Sequence, residues 1–101
     1  QRKESRKMLY QVIGVQHKVG EFTPQDRPGT KLHYDNIVFH CVGLKKTIGV
    51  NGQTAEQLSI KTVDSGEIVE ALGGSIEAAV GRQFDFDTRY GNKIRSWELV
   101  K

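Results

Sequence analysis

The sequence predicts a mostly β fold, a small five-stranded antiparallel barrel with one short helical connection. Three observations predict it. Short stretches of β-branched and aromatic residues recur between glycine- and proline-bearing breaks; a single segment carries helix start and stop signals; and the last third holds a hairpin whose register is consistent with one apolar face. With 101 residues, 37% of them hydrophobic, and a mean hydropathy of −0.50, the chain fits one small globular domain.

From Met8 to Val19, Tyr10, Val12, Ile13 and Val15 give a first strand. Gly20 to Thr30 contains Pro24 and Pro28-Gly29, which stop a ladder and signal a turn. Leu32 to Gly43 is the second strand, with Ile37, Phe39 and Cys41 on one face and Leu32, Tyr34, Val38, His40 and Val42 on the other. Asn51-Gly52 reads as a hairpin turn joining Thr47–Val50 to a third strand, Gln57–Val63. Asp64-Ser65-Gly66 opens a short helix, Glu67–Leu72, closed by Gly73-Gly74, and Ser75 is placed to cap a further turn through Ile76, Ala78 and Ala79. A type II′ turn at Gly91-Asn92 would pair Tyr90 with Lys93, Thr88 with Arg95, Phe86 with Trp97 and Phe84 with Leu99. Strand, loop, two strands, helical connection and two strands match a Greek-key barrel of the oligonucleotide-binding (OB) type, with a small SH3-like barrel as the alternative.

The formal charge of +3 is concentrated at the start of the chain. Residues 1–7, a basic N-terminal arm or a cloning remnant, hold all of it, and the domain at 8–101 is neutral. Within that domain the charge runs +2 over residues 8–55, −4 over 56–80 and +2 over 81–101. Basic first and last segments can form a polyanion-binding face, and the acidic 56–80 segment can meet a basic protein partner. The single Cys41 excludes an internal disulfide and suits a reducing, cytoplasmic setting; no membrane span or signal peptide is visible.

Enzyme chemistry finds no support, so no catalytic residue is assigned. Cys41 and three histidines form no triad motif. His33, His40 and Cys41 lack metal-site spacing, and Gly73-Gly74 follows a helix instead of opening one. Asp85, Asp87 and Glu98 read as a solvent-facing cluster relieved by Arg82 or Arg89, not as a cation site. Neither a metal nor a cofactor is expected. What remains is a basic and aromatic surface: Lys18, Phe22, Arg27, Lys31 and Tyr34 in one segment, and Arg89, Tyr90 and Lys93 at the last hairpin. Cations neutralise phosphates and aromatic rings stack on unpaired bases.

Phe22-Thr23 entering a turn-rich loop, Gly29, Lys31 and Tyr34 leading into a strand that runs to Cys41, and Val80-Gly81 opening a terminal hairpin that ends at Lys101 resemble the filamentous-phage gene V type single-stranded-DNA-binding proteins. The resemblance implies an OB barrel, a homodimer and cooperative, largely sequence-nonspecific binding. The wing would be Gly20–Lys31, with Lys18, Arg27, Lys31 and Tyr34 as contacts. Glu21 and Asp26 make this wing less basic than the family's pattern, and the acidic stretch Asp64–Glu77 is an addition. The expected function is coating and protection of single-stranded DNA in phage or mobile-element replication, with RNA left open as a target. The alternative is a small barrel acting as a protein-interaction or assembly module.

Overall fold

The computed structural model describes residues 6–45, 48–89 and 92–101. Its strands are β1 (Arg6–Phe22), β2 (Leu32–Gly43), β3 (Ala55–Lys61), β4 (Gln83–Arg89) and β5 (Lys93–Leu99). Between β3 and β4 lies the helix α1 (Gly66–Ala71), with 3₁₀ turns at Thr62–Asp64 and Ile76–Ala79. The strands close into a barrel in the order β1-β2-β3-β5-β4. A closed ring with an odd number of strands cannot alternate direction all the way round, so at least one seam must be parallel. That seam is β3–β5, held at Ser59 opposite Lys93 and by the Ser59 N–H donating to the Asn92 carbonyl at 3.0 Å. The sheet is therefore mixed, which corrects the all-antiparallel expectation.

The core is built where inward-facing positions of four strands meet the helical connection. Tyr10 and Val12 from β1, Ile37, Phe39 and Cys41 from β2, Leu58 from β3 and Phe84 and Phe86 from β4 are buried together with Ile68, Leu72 and Ala79. Phe39 lies 5.5 Å from Phe86 and 6.2 Å from Phe84, and Trp97 of β5 meets Phe84 edge-on at 6.2 Å. Each such ring contributes about 1.5–3 kcal/mol through burial. Gly66–Ala71 is too short to persist alone, and Ile68 anchors it to the core.

Four local features differ from the sequence reading. β1 runs on to Phe22, because Val19, Gly20, Glu21 and Phe22 pair with Asp35, Tyr34, His33 and Leu32. Thr47 lies outside the described residues, and Ile48–Val50 forms turn rather than strand, so Asn51-Gly52 belongs to the β2–β3 loop; β2 supplies the pairing that the expected extra strand would have given β3. Ser75 adds no N-terminal cap, because its hydroxyl donates to the Glu77 carboxylate at 2.6 Å; that bond, with a backbone N–H, holds Glu77 below the ordinary carboxylate range. In the last hairpin Phe84–Leu99 and Phe86–Trp97 pair as expected, but Arg89 faces Lys93 and Thr88 faces Ile94, with a shift between Asp87 and Thr88. The loop is one residue longer than a II′ turn, Asn92 adopts φ 55, and the bulge that absorbs the difference takes Arg95 out of the ladder to Asp87.

Candidate functional site

From Gly14 onward β1 pairs with β2 alone, and β2 before Asn36 has no β3 partner. Residues 19–22 and 32–35 thus form a two-stranded ribbon that extends beyond the barrel. Directly opposed residues share a face, so the registers define the outer surface row by row. Phe22 lies with Leu32 and Gly20 with Tyr34; Lys18, Asn36 and Lys61 form one row across three strands; Gln16, Val38, Ser59 and Lys93 form the next, across four; Gly14, His40 and Gln57 follow. Among the described residues these rows contain no aspartate or glutamate. They carry the exposed cations Lys18, Lys61 and Lys93.

The aromatic end of this face is shaped by a glycine. A Cβ at Gly20 would lie 2.4 Å from the Tyr34 Oη, so the ring lies across the ribbon where only glycine leaves room. Phe22 sits beside it at 6.4 Å between centroids, and the two rings are 50% and 36% exposed. They form an apolar platform open to solvent, adjacent to the row that bears Lys18.

The reverse face of the ribbon is different. There His17 Nε2 meets the Asp35 carboxylate at 2.5 Å, and the Thr62 hydroxyl donates to the same oxygen at 2.6 Å. These contacts, the Thr62 hydrogen bond foremost, hold the Asp35 carboxyl below its ordinary range. Glu21 lies 3.9 Å from Lys31 and 3.4 Å from His33. Ion pairs thus collect on one face of the ribbon, and acid-free, aromatic-bearing surface on the other.

Of the residues singled out in the sequence, Lys18, Phe22 and Tyr34 fall together on the outer face. Lys31 lies just before β2, beside Glu21. Arg27 sits at the loop tip, between a turn closed by the Arg27 N–H to the Pro24 carbonyl and one closed by the Thr30 N–H to the Arg27 carbonyl, with Gly29 at φ 88. Arg89 and Lys93 face each other at the last hairpin, against the β3 seam, and Tyr90 lies outside the described residues. Lys61, Asn36 and Gln57 have no sequence signal as contacts, and His40, weighed there only for metal spacing, joins them on this face. The alternation of β2 places His40 and Asn36 on the face of Tyr34, but only the β2–β3 register brings Lys61 and Gln57 there.

Elsewhere, Asp87 is bridged by Arg95 at 3.2 Å, not by Arg82 or Arg89 as expected, because the bulge turns Arg95 toward it. No group of three or more His, Cys, Asp or Glu among the described residues is arranged to hold a metal ion, and no helix there is long and apolar enough to cross a membrane. Burial, with Glu56 nearby, pushes the Cys41 thiol up to about 12. No family model matches the chain, and no curated protein or solved structure matches it.

Proposed function

We propose that this chain is a non-enzymatic single-stranded nucleic-acid-binding protein built on a Greek-key OB barrel. The strand order β1-β2-β3-β5-β4 with a helix between β3 and β4 supports the OB reading. In that fold the face of the second and third strands and the loops between strands one and two and between four and five receive oligonucleotides. The observation that carries the proposal is the outer face whose rows hold no acid among the described residues, where Lys18 adjoins the Phe22–Tyr34 platform and Lys61 and Lys93 follow in the rows beyond it. Lysines neutralise successive phosphates while the two rings stack on unpaired bases, a mode tolerant of sequence. Arg27 at the loop tip and Arg89 opposite Lys93 extend the cationic border, while Lys31 stands beside Glu21 on the reverse face of the ribbon. The role that follows is coating of single strands in phage or mobile-element replication, as a cytoplasmic homodimer similar to gene V type proteins.

Fluorescence anisotropy with labelled oligo(dT), duplex DNA and RNA over a salt series tests this. Single strands should bind better than duplex, affinity should fall steeply with salt, and Tyr34→Ala should cost about 1–3 kcal/mol. Absence of binding at low salt would refute the proposal. The acidic segment gives a second reading, an assembly module for basic proteins. What favours it is a cleft of about 400 Å³ in which Asp64 and Glu67 stand beside half-buried Trp97, with Arg95, the partner of Asp87, also in its wall.

A further inference from the structure

A second feature of the outer face lies at its opposite end from the aromatic platform. The register between β1 and β2 slips between Val12 and Gly14, so Ile13 is a bulge residue, and its side chain is 57% exposed. Beside it His40 stands over Gly14, where an added Cβ would lie 3.5 Å from the His40 Cβ. The Gln16 carboxamide oxygen accepts from His40 Nε2 at 3.1 Å, which orients the ring. Gln57 is the cross-strand neighbour of His40. Asn92 reaches the same place from the last hairpin, with its carbonyl tied to the Ser59 N–H. Ile13, His40, Gln57 and Asn92 border a shallow cleft of about 440 Å³.

The chemistry of this lining is that of base recognition rather than phosphate binding. Among the described residues no lysine or arginine lines the cleft, and Glu56, which accepts the Tyr10 hydroxyl at 3.3 Å, borders it and disfavours an anion. Two carboxamides each offer a donor and an acceptor, the pattern that pairs with the edge of an unstacked base, while an isoleucine and an imidazole supply surface for its ring. The volume falls in the range of about 300–1,000 Å³ usual for small-ligand sites. We infer that this cleft takes one nucleobase of the bound strand and reads its edge through Gln57 and Asn92, giving a base preference to an otherwise sequence-tolerant surface. The inference rests on the nucleic-acid reading above.

The test compares labelled 12-mers of dT, dC and dA at one salt concentration, with wild type, Gln57→Ala, Asn92→Gly and Lys18→Ala. Gln57 is exposed, and glycine keeps the positive φ of position 92, so both cleft variants retain the fold. Wild type should separate its best and worst oligomers by about fivefold or more, the worth of one satisfied polar contact. Gln57→Ala and Asn92→Gly should each bring that ratio to about twofold or less while binding persists. Lys18→Ala should weaken all three alike and leave the ratio intact. Self-stacking of oligo(dA) is common to every variant, so the change in ratio isolates the cleft. Equal affinities in wild type, or a ratio untouched by both cleft variants, would overturn the base-reading assignment. Failure of all oligomers to bind at low salt would overturn the nucleic-acid reading itself.

Discussion

Gly20 and Tyr34 form a unit in which the smaller residue sets the position of the larger. The ring occupies the space a Cβ would need, with the nearest clash at the phenol end of a surface side chain, so substitution moves the ring and spares the backbone. Gly20→Ala should therefore leave the melting temperature within a few degrees while lowering oligo(dT) affinity nearly as far as Tyr34→Ala. Loss of binding accompanied by unfolding in circular dichroism would contradict this division of roles. Glu21 acts in the opposite sense, as an anion beside Lys31 and His33 on the other side of the ribbon. Both partners are exposed, so the pair stabilises the fold little. Glu21→Gln should tighten oligo(dT) binding about twofold at low salt, through the cation it leaves uncompensated, with little change in melting temperature.

At the level of the element, the β1–β2 ribbon lacks a second sheet partner along its outer part, so side chains must fix its direction. Asp35 does this by joining His17 of β1 and Thr62 of the following 3₁₀ turn, which anchors the ribbon to the barrel wall. Its carboxyl is held below the ordinary value of 3.8, chiefly by the Thr62 hydroxyl. The stabilisation is thus fully present above that value and is lost as pH falls through the lower folded pKa. Asp35→Asn should raise amide exchange in 15–21 and 33–37 at neutral pH, and the difference from wild type should fade as pH falls below 3.8 and vanish once it passes the lowered folded pKa. A difference that persists in acid would assign the ribbon's order to backbone pairing alone. The elements themselves were legible because β2 alternates cleanly: Phe39 and Tyr34 announce opposite faces without any knowledge of neighbours. The outer pairs of the last hairpin, Phe84–Leu99 and Phe86–Trp97, were legible from its apolar face, but the β2–β3 register was not, since the long connection between Gly43 and Ala55 leaves the pairing of β3 free by several residues, which hid Lys61 and Gln57. The bulges at Ile13 and Arg95 were equally hidden, because an inserted residue changes the facing of a side chain without changing composition.

For the whole molecule, the net charge of +3 and the location of the proposed site are separate matters. The charge surplus lies in residues 1–7, whereas the outer face draws on a domain that is neutral in sum. A neutral domain binds a polyanion when most of its acids are placed elsewhere, and here they lie on the ribbon's reverse face, on the helical connection and beside Arg95, with Glu56 alone of the described acids bordering the cleft at the far end of the outer face. Counterion release makes the distinction measurable, since the slope of log K against log salt for a single strand is about −0.7 per phosphate neutralised. If Lys18, Arg27, Lys61, Arg89 and Lys93 each meet one phosphate, the slope should be about −3.5. Removing residues 1–5 takes away Arg2, Lys3 and Glu4, one unit of the surplus, and leaves β1 intact from Arg6, where it pairs with Thr88. That truncation should change the slope by less than about 0.7, one phosphate contact. Lys18→Glu combined with Lys61→Glu should flatten it by about 1.4 and lower the affinity severalfold even at low salt. The reverse result, with binding lost on truncation and unaffected by the two charge reversals, would place recognition in the basic terminus and leave the barrel as the scaffold that carries it.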